Sequence, residues 1–432
     1  MTDLQIGILG IVVLLILMFS GMRIAYAVSL VGTLGIVLIK GFGPAISLIG
    51  SIPGNVVGMY SYSAIPLFIL MGYFAYTAGI TDNLFETAKA WVQHIRGGLP
   101  VATVLASAGF ATVSGASTAS SLVLGKITIP QMLKNGVDPR LAAGTVAMSG
   151  TLAALIPPST IIIIYGILTE QSISSMLIAG IIPGVFSVIA YILLIYIRSR
   201  LSSGGGETPQ KLPLMERIKS LKKTFGMLIL IIVVIGGIYM GFFTPTEAAA
   251  IGALGSFVLS IRNMTMAKIQ ESIIETVKVS TMIFAILVGI SIFIRFLAHS
   301  GITKTLNSYV LSLSIPPLTI IFAMLFVYLL LGMFMDGVSM MMLTLPVFFP
   351  LIVSLGFNPI WFGIIVVKMA EIGMVTPPVG LNCFMVKRAA PDIPMGTIFR
   401  GVTPFIVVDM AVILFLIFVP EVVTFLPDLM KN

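Results

Sequence analysis

The stretch "SGTLAALIPPSTIIIIYGIL", Ser149 to Leu168, is apolar enough to cross a bilayer, yet Pro157 and Pro158 stand in its middle. A proline inside a helix removes a hydrogen bond and clashes with the preceding turn, at about 3 kcal/mol or more. In lipid the freed backbone groups find no water, so such a break persists only where protein or a water-filled cavity satisfies them. A membrane helix broken on purpose therefore suggests a site at the break.

Composition supports the membrane setting. The chain has 432 residues, 58% hydrophobic and 9% charged, with a mean hydropathy of +1.13. Soluble domains carry about 25% charged residues. The apolar runs approach or reach helical span length, which excludes the alternating pattern of an outer-membrane barrel. The first run follows Asp3 and lacks the basic start and cleavage site of a signal peptide, so it is expected to be retained. A single cysteine, Cys383, excludes a disulfide framework or a cysteine zinc site within the chain. The net charge of +8 is explained by the positive-inside rule and gives no sign of a nucleic-acid partner.

Ten spans are expected, near 5–21, 24–40, 57–80, 141–168, 175–197, 225–243, 246–261, 279–298, 360–386 and 402–425. Two further apolar stretches, about 100–133 and 317–352, carry a polar or glycine-rich interruption and are expected to be re-entrant hairpins. With the hydrophilic 198–224 linker placed in the cytoplasm, 19 of the 24 Lys and Arg fall inside and three outside, while Arg295 and Lys368 fall within spans. Both termini are then periplasmic.

The breaks recur. Gly79-Ile80-Thr81 matches Gly301-Ile302-Thr303, and Pro130, Pro139, Pro157-Pro158 and Pro183 match Pro350, Pro359, Pro377-Pro378 and Pro404. The offset stays between 220 and 222. On this topology the halves are inverted, and inverted repeats with corresponding broken helices point to a secondary transporter. The organisation expected is scaffold helices over 1–56, a first repeat over 57–197, the linker 198–224, scaffold helices over 225–278 and a second repeat over 279–425. The fold class is an all-α polytopic membrane protein, an inverted-repeat transporter with two re-entrant hairpins and two proline-broken helices.

Four irregular tips result: "FATVSGASTASS" at 110–121, "GMFMDGVSMMM" at 332–342, "SGTLAALIPPST" at 149–160 and "EIGMVTPPVGLN" at 371–382. A broken helix offers free carbonyls at one end and free N–H groups at the other, which suit a cation and an anion respectively. Each proline pair is expected to restart a helix, since proline suits the first helical turn. The oxygens of Ser114, Ser117, Thr118, Thr151, Ser339, Thr376 and Asn382 suit a hard cation such as Na⁺ rather than a transition metal. His94 and His299 lie near span ends, away from the tips. Asp336 and Glu371 are the acids singled out inside the membrane. Asp336 suits an N-cap or an ion ligand, and Lys368 and Glu371 are expected to pair at i, i+3. Arg295 is expected to snorkel, and "DNLFETAKAWVQHIRGG" to form an interfacial arm helix carrying Trp91. No acid pair, HExxH or Ser-base arrangement suggests an enzyme.

At these residues the chain resembles a known family. "GFATVSGASTASSLVLGKITIPQMLKNGVDPRLAAGTVAMSGTLAALIPPSTIIIIYG", "GMFMDGVSMMMLTLPVFFP" and "EIGMVTPPVGLNCF" are similar to the motifs of the large membrane subunit of tripartite ATP-independent periplasmic (TRAP) transporters, the DctM type. The resemblance implies Na⁺-driven import of a small organic anion, a carboxylate or sulfonate, across a bacterial inner membrane by an elevator motion. It implies two partners, a small four-helix membrane subunit and a periplasmic substrate-binding protein, with no cofactor beyond the coupling ion. Carried over by motif, one sodium site would use Ser114, Gly115, Ser117, Gly150 and Thr151. A second would use Gly337, Gly373, Thr376 and Gly380. The substrate would lie near Ser117, Thr118, Ser159 and Asn382. A stand-alone Na⁺ or H⁺ carboxylate symporter is the alternative.

Overall fold

The computed structural model describes residues 1–77, 79–201, 211–313 and 315–430. The glycine- and serine-rich part of the expected linker, 202–210, lies outside the described residues, as does Lys431. Every regular element among the described residues is helical.

Five helices combine the length and hydropathy to cross a membrane: Ile173–Leu201 taken as one, Leu214–Tyr239, Met266–Ser300, Gly337–Ser354 and Met395–Phe418. The bent pair Phe42–Val57 and Tyr60–Thr77, angled by 55°, makes six. The ten expected spans exceed this number because several are short helices, such as Asp3–Phe19 and Ile24–Lys40, and two are broken. Two helices were not anticipated. Phe42–Val57 contains Pro53 in its last turn, and Glu421–Leu429 follows the final long helix.

The helices sort into two packing groups. Ile24–Lys40 lies along Met266–Ser300, and Ala64–Thr77 lies along Pro245–Ser260. Small residues allow the first approach: a Cβ on Gly32 would stand 2.9 Å from the Phe293 backbone nitrogen, and one on Gly35 would stand 2.3 Å from the Phe296 ring. The second group contains both interrupted stretches and both proline breaks. Pro139–Thr151 packs against Met395–Phe418 so closely that a Cβ on Gly144 would lie 2.3 Å from the Gly401 carbonyl oxygen. The two repeats therefore interlock rather than sit side by side.

The matched helices of the two repeats differ by at most two residues in length. The interrupted stretches become helix pairs, Gly98–Ser114 with Ser117–Lys134 and Pro317–Gly332 with Gly337–Ser354. Their second members are 18 residues each. The broken helices run Pro139–Thr151 then Thr160–Leu168, and Pro359–Gly373 then Leu381–Ala389. Both restarting halves are nine residues long, and both Pro–Pro bonds are cis.

The proline pairs do not restart the helices, contrary to the expectation from position-one preference. Helix resumes at Thr160 and Leu381, two and three residues past the second proline. A residue before proline is pushed out of α geometry, so the first proline of a pair is a poor helix start. The next residue able to cap sets the boundary instead: Ser159 in one repeat, Gly380 in the other.

Candidate functional site

The tip of the first helix pair turns on Gly115, whose φ of +56° favours glycine. Ser114 Oγ and Ser120 Oγ close the turn at 2.8 Å. A Cβ on Gly115 would stand 3.1 Å from the Pro158 carbonyl oxygen and 3.2 Å from Thr160 Oγ1. The tip thus rests on the break of its own repeat. Deeper in, Ser107 Oγ donates to the Ser149 carbonyl at 2.7 Å. A Cβ on Gly150 would lie 2.0 Å from Ser121 Oγ. Ser114, Gly115, Ser117, Gly150 and Thr151 are therefore held by one helix pair and the break it covers.

The second tip is built differently. Asp336 caps Gly337–Ser354: its Oδ1 accepts from the Val338 and Ser339 amides at 3.0 and 3.1 Å, and its Oδ2 accepts from Ser339 Oγ at 2.5 Å. A Cβ on Gly337 would meet Ala370 Cβ at 2.9 Å and Ile161 Cδ1 at 3.1 Å. This tip touches both broken helices. Gly332 and Gly373 meet backbone to backbone, with a Cβ on Gly373 only 2.5 Å from Gly332 Cα.

The hydroxyls fall into two kinds. Thr151 Oγ1 donates to the Met148 carbonyl at 2.7 Å and Thr376 Oγ1 to the Ile372 carbonyl at 2.6 Å. A hydroxyl that donates backward in this way keeps lone pairs for a cation. Ser159 Oγ donates to the Ala154 carbonyl at 2.5 Å and accepts the Ile162 amide at 3.4 Å, so it is committed to spanning the break. Thr118 is half-buried. Two groups stand apart: Ser117 Oγ and both amide atoms of Asn382 are buried without a hydrogen-bond partner among the described residues. Such orphans cost about 1–3 kcal/mol each, which a bound ligand would recover. Asn382 is placed by its own amide donating to the Met374 carbonyl at 2.9 Å.

Beside the second break lies a network that the sequence reading caught only in part. Lys368 Nζ donates to Glu371 Oε2 at 2.8 Å, as the i, i+3 spacing predicts, and also to Asp409 Oδ1 at 2.7 Å and Ser187 Oγ at 3.0 Å. Tyr191 OH donates to Asp409 Oδ1 at 2.8 Å. Lys368, Glu371 and Asp409 are fully buried. Asp409 was missed because nothing near it in sequence marks a partner: Tyr191 is 218 residues away. Arg295 is exposed, as a snorkelling side chain would be, and Trp91 is exposed on the helix Ile80–Val92.

Residues 11–422 match the family described as "Tripartite ATP-independent periplasmic transporter, DctM component". The chain belongs to that family. It is 35% identical to the C4-dicarboxylate TRAP transporter large permease protein DctM of Pseudomonas aeruginosa, over 85% of this chain and 86% of that protein. It is 31% identical to the sialic acid TRAP transporter large permease protein SiaM of Vibrio cholerae serotype O1, over 96% of both. In structure it is similar to the Alcanivorax borkumensis YdaH transporter, with a TM-score of 0.63 and 14% identity over 86% of this chain and 88% of that one, a likeness of fold alone. Membership makes this DctM-family chain a component of a transporter rather than an enzyme.

Proposed function

We propose that the chain is the Na⁺-coupled large subunit of an importer for a small organic anion, working in a bacterial inner membrane with a small membrane subunit and a periplasmic substrate-binding protein. The observation that carries the reading is two orphaned polar side chains, Ser117 at the first helix-pair tip and Asn382 just past the second break. Under the repeat offset, Gly337 corresponds to Ser117 and Ile161 to Asn382. Gly337 and Ile161 touch, so the repeat symmetry would bring Ser117 to Asn382. A hydroxyl and an amide N–H₂ there can donate to a carboxylate or sulfonate, with Thr118 beside them. Ser159 would shape the site rather than bind.

The first Na⁺ site would use Ser114, Gly115, Ser117, Gly150 and Thr151; the second would use Gly337, Gly373, Thr376 and Gly380. Both lie where a helix pair covers a break, so ion binding would pin the tip shut around substrate. The packing group holding both breaks would move as the elevator against the frame of Ile24–Lys40, Ala64–Thr77, Pro245–Ser260 and Met266–Ser300. The helix pairs would then be re-entrant and both termini periplasmic, as the lysine and arginine distribution favours. The relatives are named for different substrates, so the anion's identity would rest with the binding protein.

The test is uptake into proteoliposomes holding this chain and its small subunit. Uptake is expected to need both the binding protein and an inward Na⁺ gradient. Na⁺-insensitive uptake overturns the coupling, and uptake without a binding protein favours the stand-alone symporter.

A further inference from the structure

Away from the breaks, a group of polar side-chain atoms is buried with no hydrogen-bond partner among the described residues. Arg217, in the first turn of Leu214–Tyr239, is only 7% exposed, and its Nε and Nη2 have no partner among the described residues. Ser199, near the end of Ile181–Leu201, is 4% exposed, and its Oγ is likewise unpartnered. Arg198 Nη1 and His94 Nδ1 are buried and unpartnered too. The three segments meet around the bend at 93–98. A Cβ on Gly97 would lie 2.4 Å from Ser199 Oγ. Thr87 Oγ1 donates to the Ser220 carbonyl at 3.0 Å, one turn beyond Arg217.

A buried guanidinium without an acceptor is costly. Charge balance sharpens the point. His94 is held below its ordinary histidine pKa, by burial first and then by the charges of Arg217 and Lys211. The carboxylate nearest in sequence, Glu216, is exposed and joins no ion pair among the described residues. On the arm helix, Glu86 is engaged by Lys89 at 3.6 Å. Among the described residues the cluster lacks an anion with several acceptor oxygens, the chemistry that a guanidinium fork matches.

The geometry points to an anion-binding site formed by His94, Ser199 and Arg217 that takes a phosphate group. The group would come from an anionic phospholipid headgroup or from free phosphate. Basic pockets between membrane helices on the cytoplasmic side bind such headgroups. Because a bound anion favours imidazolium, binding tightens as pH falls through the titration of His94.

The chain has only two histidines, so the site reports on itself. Side-chain NMR of the whole protein in nanodiscs follows each one, with His299→Gln for assignment. Replacing part of the phosphatidylcholine with phosphatidylglycerol is expected to raise the His94 titration midpoint well beyond any change at His299. The same rise on adding inorganic phosphate to pure phosphatidylcholine discs identifies free phosphate as the source. Arg217→Gln is expected to weaken phosphatidylglycerol retention in native mass spectrometry by about tenfold. The exposed control Lys222→Gln is expected to leave it unchanged. Arg217→Lys, which keeps the charge without the fork, is expected to fall between. A His94 midpoint that moves in neither arm of the wild-type measurement overturns the site. So does a rise of equal size in Arg217→Gln, because that is only the surface potential of the discs.

Discussion

The two proline breaks share their register and a cis Pro–Pro bond, yet they are finished by different chemistry. In the first, Pro157 and Pro158 are buried and Ser159 spans the gap with its hydroxyl. In the second, Pro377 and Pro378 are exposed and Gly380 turns the chain at φ +62°. The first break satisfies itself with a side chain. The second is turned by backbone, and the side chain two residues on, Asn382, is left buried without a hydrogen-bond partner among the described residues. Charge follows the same division. Lys368, Glu371 and Asp409 serve the second repeat, while the corresponding positions 148, 151 and 188 hold Met, Thr and Val. The repeat gives a matched frame, and the side chains that complete its two halves differ.

Exchanging residues across the repeat tests that division. The largest effect is expected from Lys368→Met, which installs the first-repeat residue. It leaves two carboxylates buried without their cation, at about 3–5 kcal/mol, while the triple change Lys368→Met, Glu371→Thr, Asp409→Val recovers most of the loss. Thermal unfolding in detergent checks both, and a triple variant as unstable as the single one would show that the network is more than mutual charge compensation.

Asn382→Leu comes next. Because it removes two unsatisfied polar atoms, stability is expected to hold or rise by about 1–3 kcal/mol while transport falls at least tenfold. Loss of stability together with transport would make Asn382 structural. Gly380→Ala forces a side chain into left-handed backbone at about 1–2 kcal/mol and brings its Cβ within 3.0 Å of the Phe399 ring. Ser159→Ala loses a cap at about 1 kcal/mol. If melting temperatures rank these two in the opposite order, the distinction between side-chain and backbone finishing of the breaks fails. Smallest in stability is Ser117→Ala, whose hydroxyl has no partner among the described residues. It is expected to melt with the wild type while its uptake needs more Na⁺. Unchanged sodium activation at normal expression would remove Ser117 from the first ion site.

Much of this was legible in the sequence because proline and glycine constrain backbone wherever they stand. The proline register predicted both breaks and their repeat, and the helix pairs appear where polar or glycine-rich residues interrupt apolar runs. Residue types at the tips singled out Ser117 and Asn382. Three things were not legible. The helix restarts were misplaced, because the capping choice between Ser159 and a proline depends on local geometry. Two helices were missed: Phe42–Val57, whose glycines and Pro53 read as loop, and Glu421–Leu429, whose start fell inside the expected 402–425 span. Asp409 was missed, because its partners come from two other helices.

What the sequence by itself determined is therefore local and periodic: hydropathy, the repeat, and where an α-helix must stop. What only the tertiary structure decided is satisfaction, meaning which buried polar atoms find partners. Thr151 and Ser117 look alike in sequence, yet one hydroxyl donates to its own helix and the other has no partner among the described residues. A hydrogen bond requires atoms within about 3 Å in a fixed direction. Only the packing of helices distant in the chain sets that distance.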